Sequence, residues 1–537
     1  MHPTRKLSTL SSLLLVSYLS FTTTLTPAVA HAASVLQRGN GAEPETLDFH
    51  KSSGVPEANI ERDLFEGLVT DDADGKPQPG VAEKWEISSD GKTYTFHLRA
   101  DAKWSDGSAL TADDFVYAWR RALAPETASD YAFMLWPIVG AEAFSKGTNQ
   151  DPASIGAKAT DAHTLEVKLN APTPYFITLL THHMTYPVPQ KVVEKAGKDW
   201  TKPENIVSNG AYTLKTWQPQ AQITLTKNPN YRRAKDINID SVVYIPTEDK
   251  GSELKRFRAG ELDITDDIPN DQTAWVKENL AAALHNSPYI GTYYYALNLQ
   301  DAAFKDNVKL RRALSLAIDR AILTEKLTQS GEQPAFGWVP AVDNYTQQTM
   351  PEKSLDKAAR LELAKKLYAE SGYSADKPLT LELLYNTSDN HKKLAIAVAA
   401  MWKQTLGVQT TLRNEEWKVY LNSRKQKQFQ VVRSGWIGDY NDAYSFLSLF
   451  KSDVGEMNTA AYHNAEYDKL IHNAENEADA NKRRDDLQQA EQILLNDMPI
   501  IPVYHYTTQH LVNPKITGWV DNVMDVHPTQ YLSIKAE

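Results

Sequence analysis

This sequence predicts an α/β fold built from more than one domain, and three observations carry the prediction. The chain has 537 residues, too many for one small core, so two or three domains are expected. Over residues 379–432, strand-like and helix-like patterns alternate, as in βαβ units around a mainly parallel sheet. Nearer the start, residues 85–87 and 94–98 alternate apolar and polar positions on either side of Ser89-Asp90-Gly91-Lys92, the pattern of a hairpin with an Asp-Gly turn.

Taken in order, Ile60, Leu64 and Leu68 fall at helical spacing, with Gly67 as a stop signal. After the hairpin, Thr111-Ala112-Asp113-Asp114 is a capping box that opens a helix with Phe115, Trp119 and Ala122 on one face. In the second half, residues 379–385 read as a strand and 390–406 as a helix stopped by Gly407. A strand at 408–412, a helix around 417–421 and a strand at 429–432 follow. That last strand feeds Arg433-Ser434-Gly435-Trp436-Ile437-Gly438-Asp439-Tyr440-Asn441-Asp442-Ala443-Tyr444-Ser445-Phe446, read as a loop at a strand's carboxyl end, where open α/β sheets place ligands. Asp439, between Trp436 and Tyr440, suits a small cation such as a ligand ammonium. The same residues also fit a plain turn, with Asp and Asn capping the backbone and the aromatics in the core.

Composition narrows the classes. Hydrophobic residues make up 42% and charged residues 23%, ordinary for a soluble globular protein. The formal net charge is −11 with no basic stripe, which argues against nucleic acid and anionic membrane as partners. Residues 1–33 read as a secretory signal peptide: Arg5 and Lys6, then an apolar run containing Leu13-Leu14-Leu15-Val16, then Ala28-Val29-Ala30 and Ala30-His31-Ala32. The run is too short to span a bilayer, and no later stretch reaches that length. With no cysteine there is neither a lipid-modified cysteine anchor nor a disulfide. The mature protein is expected beyond the inner membrane, which in a Gram-negative cell means the periplasm. No nucleophile elbow, zinc helix or phosphate loop is present. His182, His183, His505 and His510 lack helical ligand spacing and read as core or surface histidines, so neither a metal nor a cofactor is expected.

The run Gly80-Val81-Ala82-Glu83, then Phe96 through Gly107, then Leu110-Thr111-Ala112-Asp113-Asp114-Phe115-Val116 resembles the signature of the large extracytoplasmic solute-binding proteins of ABC importers. Asn209-Gly210-Ala211-Tyr212, Arg258 through Ile264 and Leu310 through Arg320 extend the likeness over the mature chain. Tyr385 through Ala397 and the Trp436–Phe446 stretch are most similar to the oligopeptide- and murein-peptide-binding branch of that family.

The resemblance implies a type II two-lobe periplasmic binding protein fold with hinge strands and an additional third domain. It would place lobe I at 34–65, 191–290 and 507–537, the extra domain at 66–190 and lobe II at 291–506. It implies a monomer that binds a short peptide and hands it to an inner-membrane ABC permease, with no catalysis. By the same resemblance, Asp439 takes the ligand amine, and Arg433, Arg424 and His391 take its carboxylate. Val55, Tyr131, Tyr294, Asn386, Ser434, Gly435, Trp436 and Ile437 line the pocket or pair with the ligand backbone. The sequence departs from the oligopeptide pattern where Ile437 replaces a cysteine and where Ser53 and Ala296 replace acids. Lysine-containing ligands are therefore not implied. Trp436-Ile437-Gly438-Asp439 resembles the murein-peptide binders, which widens the ligand class to cell-wall peptides. A binder of nickel complexes, haem, bile acids or sugars is the rival, and a peptidase a more distant one.

Overall fold

The computed structural model describes residues 33–342 and 344–535, so the expected signal peptide lies almost wholly outside the described residues. The chain opens with β1 (Val35–Gly39) and α1 (Val55–Leu64), whose Pro56 occupies the first turn, where a missing N–H costs nothing. The expected hairpin is present as β2 (Ala82–Ile87) and β3 (Thr93–Leu98), with Trp85 opposite Phe96. In α2 (Ala112–Leu123) the Thr111 N–H donates to Asp114 Oδ2 at 2.8 Å, the reciprocal half of the capping box, and Phe115, Trp119 and Ala122 are buried. β4 (Ala157–Asp161) and β5 (Thr164–Lys168) complete an antiparallel sheet of order β2-β3-β5-β4.

A second sheet brings the start of the chain beside β6 (Tyr212–Gln218), β7 (Gln222–Lys227) and β8 (Ser241–Ile245), in the order β1-β8-β7-β6. The third is organised by β9 (Leu284–Leu297), followed by β10 (Gln333–Pro334), β11 (Thr380–Asn386), α3 (Asp389–Leu406), β12 (Gln409–Glu415), α4 (Trp417–Lys425), β13 (Val431–Ile437) and β14 (Ile500–Leu511). Its order is β10-β14-β9-β13-β11-β12. Gly407 ends α3 at φ +78°, a left-handed position that glycine takes without strain.

Two expectations are corrected here. The third sheet is mixed rather than mainly parallel. β11 runs parallel to β12 and β13, but β9 is antiparallel to both β13 and β14. β9 and β14 are long and continue well past the sheet core, and their register breaks between Pro288 and Thr292. Secondly, Arg433 to Ile437 belong to β13 and are not loop. Val431, Val432, Trp436 and Ile437 favour extended backbone, and that preference outweighs the glycine at 435.

Candidate functional site

β13 has one paired and one unpaired edge. Towards β9 every residue from Val431 to Ile437 has a partner, but β11 pairs only with Val431 and Val432. From Arg433 onward that second edge has no strand beside it among the described residues. It faces a cavity of about 300 Å³ walled by Arg433, Gly435 and Ile437, by Val55 at the start of α1, and by Asn386, His391, Trp417, Arg424 and Tyr506. Such an edge accepts an extended backbone as an added strand. At Gly435 a Cβ would lie 2.4 Å from the Tyr506 hydroxyl, so only glycine leaves that contact intact. Gly435→Ala is expected to lower ligand affinity at least tenfold while costing about 1–2 kcal/mol of stability, an overpacking effect. Calorimetry and thermal melts on the same sample check both numbers.

One end of the cavity is cationic. The buried Arg433 donates from Nη1 to Asn386 Oδ1 (3.0 Å) and from Nη2 to the Tyr506 hydroxyl (2.8 Å), and lies over the Tyr293 ring at 4.6 Å. Its Nε has no partner, and no carboxylate of the described residues pairs with it. An arginine in a dry site without an anion is costly, so its geometry is fit to receive one. Arg424, at the end of α4, points inward to Ser434 Oγ (3.4 Å) and lies over Tyr420, which rules out a solvated helix end for its side chain. His391 sits in the first turn of α3. Burial, with the Arg433 charge nearby, drives its pKa well below the usual histidine value and keeps it neutral. Lys250 is paired with Asp267.

The Asp439 carboxylate lies just beyond β13, its side chain only 9% exposed. Its backbone N–H donates to Ser445 Oγ at 2.8 Å. Burial raises its pKa to about 8, against the weaker opposing pull of Arg62 and Ser445. His182 Nε2 is 3.5 Å away. Burial holds His182 neutral, with its pKa near 3. Its Nδ1 accepts from the Met184 N–H, so the ring proton sits on Nε2, towards the carboxylate. No lysine or arginine of the described residues comes within ion-pair distance of Asp439, whereas Asp442, three residues on, is gripped by both terminal nitrogens of Arg483 at 2.9 Å. Two acids share the stretch, and the chain has neutralised only one.

Tyr131 stacks on His182 (5.0 Å) and Trp436 (6.3 Å), and the charges of Asp439 and Arg424 both act on its hydroxyl. Asp439, Tyr131 and Trp436 are not among the residues that wall the cavity of about 300 Å³; they lie behind it, within electrostatic reach of Arg424 through Tyr131. Val55, Asn386, His391, Arg424, Arg433, Gly435 and Ile437 meet at the cavity wall. Tyr131 and Trp436 stand with Asp439, while Ser434 and Tyr294 are buried opposite each other on β13 and β9. The Tyr294 ring packs edge-on against Trp338, and it is Tyr293 that meets Arg433. The sequence alone does not single out Arg62, Tyr293 or Tyr506, and it gives His182 as a core or surface histidine. A larger cavity of about 480 Å³ near Trp136 and Tyr175 has its charges already matched, with Lys451 on Glu475 and Lys146 on Asp453, both at 2.7 Å. By contrast, among the described residues no carboxylate pairs with Arg433 and no lysine or arginine with Asp439.

The fold and this cleft define a binding protein, and the chain belongs to the bacterial extracellular solute-binding proteins, family 5, whose middle region matches residues 76–458. Among its relatives, the periplasmic oligopeptide-binding protein OppA of Escherichia coli K12 is 46% identical, over 90% of this chain and 89% of that one. The probable deoxycholate-binding periplasmic protein YgiS of the same strain is 41% identical over 94% of each chain. The Escherichia coli murein tripeptide binding protein MppA superposes with a TM-score of 0.92 at 38% identity, covering 94% of this chain and 99% of that one. An unliganded open form of MppA gives 0.66 at 39% identity, over 94% and 97%. This chain is therefore nearer in shape to the first.

Proposed function

We propose that this protein is the periplasmic binding component of an ABC importer, closing two lobes over a short peptide and presenting it to an inner-membrane permease. The observation that carries the reading is the pair of unmatched buried groups, Arg433 on β13 and Asp439 two residues past its end, with an unpaired β edge beside them. A zwitterionic peptide satisfies all three at once. A strand rises about 3.3 Å per residue, so the six steps between these residues, the last two beyond the strand's end, span at most roughly 20 Å. Shortened by the inward reach of both side chains, that suits a peptide of roughly three to five residues. A bile acid or other non-peptide supplies no ammonium for Asp439, although the 41% identity to a deoxycholate binder keeps that rival in view. Native mass spectrometry of protein purified without refolding tests the assignment. Masses of short peptides support it, and a uniform non-peptide adduct overturns it. No helix among the described residues is long and apolar enough to cross a membrane, which is compatible with a protein that meets its permease from the periplasm.

Closure without ligand should depend on pH. Closed, Asp439 keeps its proton up to about pH 8, and burial raises Glu57 to about 7 in the same sense. Opened to water, both titrate near ordinary carboxyl values. Between pH 6.5 and 8 the empty closed form therefore holds protons that the open form has lost, and rising pH favours opening. His391 and His182 are neutral in the closed form; opened to water they titrate near the ordinary histidine value of about 6.5, so they offset part of the trend at the acid end of the window and little of it above pH 7.5. Asp439 alone contributes about 1.4 kcal/mol per pH unit well below its pKa and half that at pH 8, or roughly 15-fold in the open-to-closed ratio over the window. Small-angle scattering should show the empty protein expanding from pH 6.5 to 8 and the peptide-bound protein unchanged.

A further inference from the structure

Three side chains that the peptide site does not use converge beside the cleft. His510, near the end of β14, faces Asp525 with Nε2 at 2.9 and 3.1 Å from its two carboxylate oxygens. His527 Nε2 reaches Asp525 Oδ1 at 2.9 Å from the other side. All three side chains are nearly enclosed, between 5 and 12% exposed, and their donor atoms lie within 4.8 Å of one another. We propose that His510, Asp525 and His527 form a binding site for a divalent transition-metal ion of the zinc class, open on one side to the interlobe cavity.

The donor chemistry selects the ion. Two imidazoles and one carboxylate suit zinc, nickel or copper, whereas calcium and magnesium demand an oxygen shell. The orientation is the one a metal needs. His510 Nδ1 donates to the Thr265 carbonyl at 3.0 Å, which fixes the ring and aims Nε2 inward, as the outer partner of a metal-bound histidine does. Thr265 is itself pinned, its hydroxyl accepting from the Leu511 N–H at 2.9 Å. Asp525 adopts φ +53°, a left-handed backbone uncommon outside glycine, and its loop is held by Asn522, which bonds both the N–H and the carbonyl of Val526. Strain kept in place by a dedicated staple points to a positioned carboxylate. Trp519 covers the far side, stacked on His527 at 3.7 Å. His510 and Asp525, but not His527, form part of the cavity wall, so a fourth coordination position faces the cleft. Around an ion with bonds of about 2.0–2.1 Å, tetrahedral donors stand about 3.3 Å apart. The two histidine–aspartate contacts of 2.9 Å need to widen by only a few tenths of an ångström, and the two imidazole nitrogens, within 4.8 Å of each other, need to close to the same spacing.

Cysteine is absent from the chain, so no thiolate competes for the metal. The test uses untagged wild-type protein stripped with chelator and titrated with Zn²⁺ against a chromophoric zinc indicator. One tightly bound equivalent is expected. His527→Ala and Asp525→Asn should each weaken it by about 100-fold or more, while His285→Ala, which alters another histidine against Trp519, leaves it intact. Thermal melts and peptide titrations of each variant separate metal loss from misfolding. A second readout needs no variant: in zinc-soaked wild-type crystals the anomalous peak should fall among these three donors. The proposal is overturned if wild-type protein retains no zinc, if a folded His527→Ala variant binds it unchanged, or if the peak lies elsewhere. It does not depend on the peptide assignment, because its probe is the metal alone.

Discussion

Asp439→Ala is expected to weaken a free-amino tripeptide by roughly 100- to 1,000-fold and to leave its N-acetylated counterpart almost unaffected. Removing one member of a buried charge pair costs about 3–5 kcal/mol because the other charge is stranded, and the stranded charge here is the ligand ammonium. The acetylated peptide brings no charge and loses only packing. Calorimetry of both peptides against both proteins closes the cycle, and equal losses would remove Asp439 from this role. Asp439→Asn separates charge from shape. The amide resembles the protonated acid of the empty closed site, so this variant should close more readily without ligand and lose most of its pH response between 6.5 and 8. If it stays as expanded at pH 8 as the wild type, burial of Asp439 is not what opposes empty closure.

Elements set by neighbouring residues were readable from the sequence, and those set by distant ones were not. The span of α3, with Gly407 at its end, and the β2–β3 register follow from local periodicity and turn chemistry. The Asp439 reading came from local composition joined to a family likeness, but its protonation did not. The acid reads as an anion in sequence, and only the surrounding layer of His182, Tyr131 and Trp436 raises its pKa to about 8. The family likeness names both Arg433 and Asn386, but not the bond between them across 47 residues, nor Tyr506, which meets Arg433 from 73 residues away. His510 has no ligand partner at helical spacing in the sequence. Its partners come from a loop 15 and 17 residues on, shaped by one left-handed backbone position.

Arg433→Met is expected to produce the complementary result, and its sign differs between the empty and the loaded protein. Methionine keeps much of the unbranched stem over Tyr293 and removes a buried charge that has no anion. Empty protein should therefore melt no lower than wild type, and higher if the closed form is populated. With saturating tripeptide the order reverses, because the ligand carboxylate loses its fork and affinity falls by about 100-fold or more. A carboxy-amidated tripeptide should bind both proteins with similar, weak affinity, so the coupling between Arg433 and the ligand carboxylate comes to about 3 kcal/mol in a double-mutant cycle. Arg424 is the internal comparison. It points into the same cavity from α4 with only a long contact to Ser434, so Arg424→Met should change which peptide length binds best and leave the tripeptide cycle at Arg433 nearly intact. If amidation costs Arg433→Met as much as it costs wild type, the ligand carboxylate is held elsewhere and the peptide direction along β13 has to be reversed.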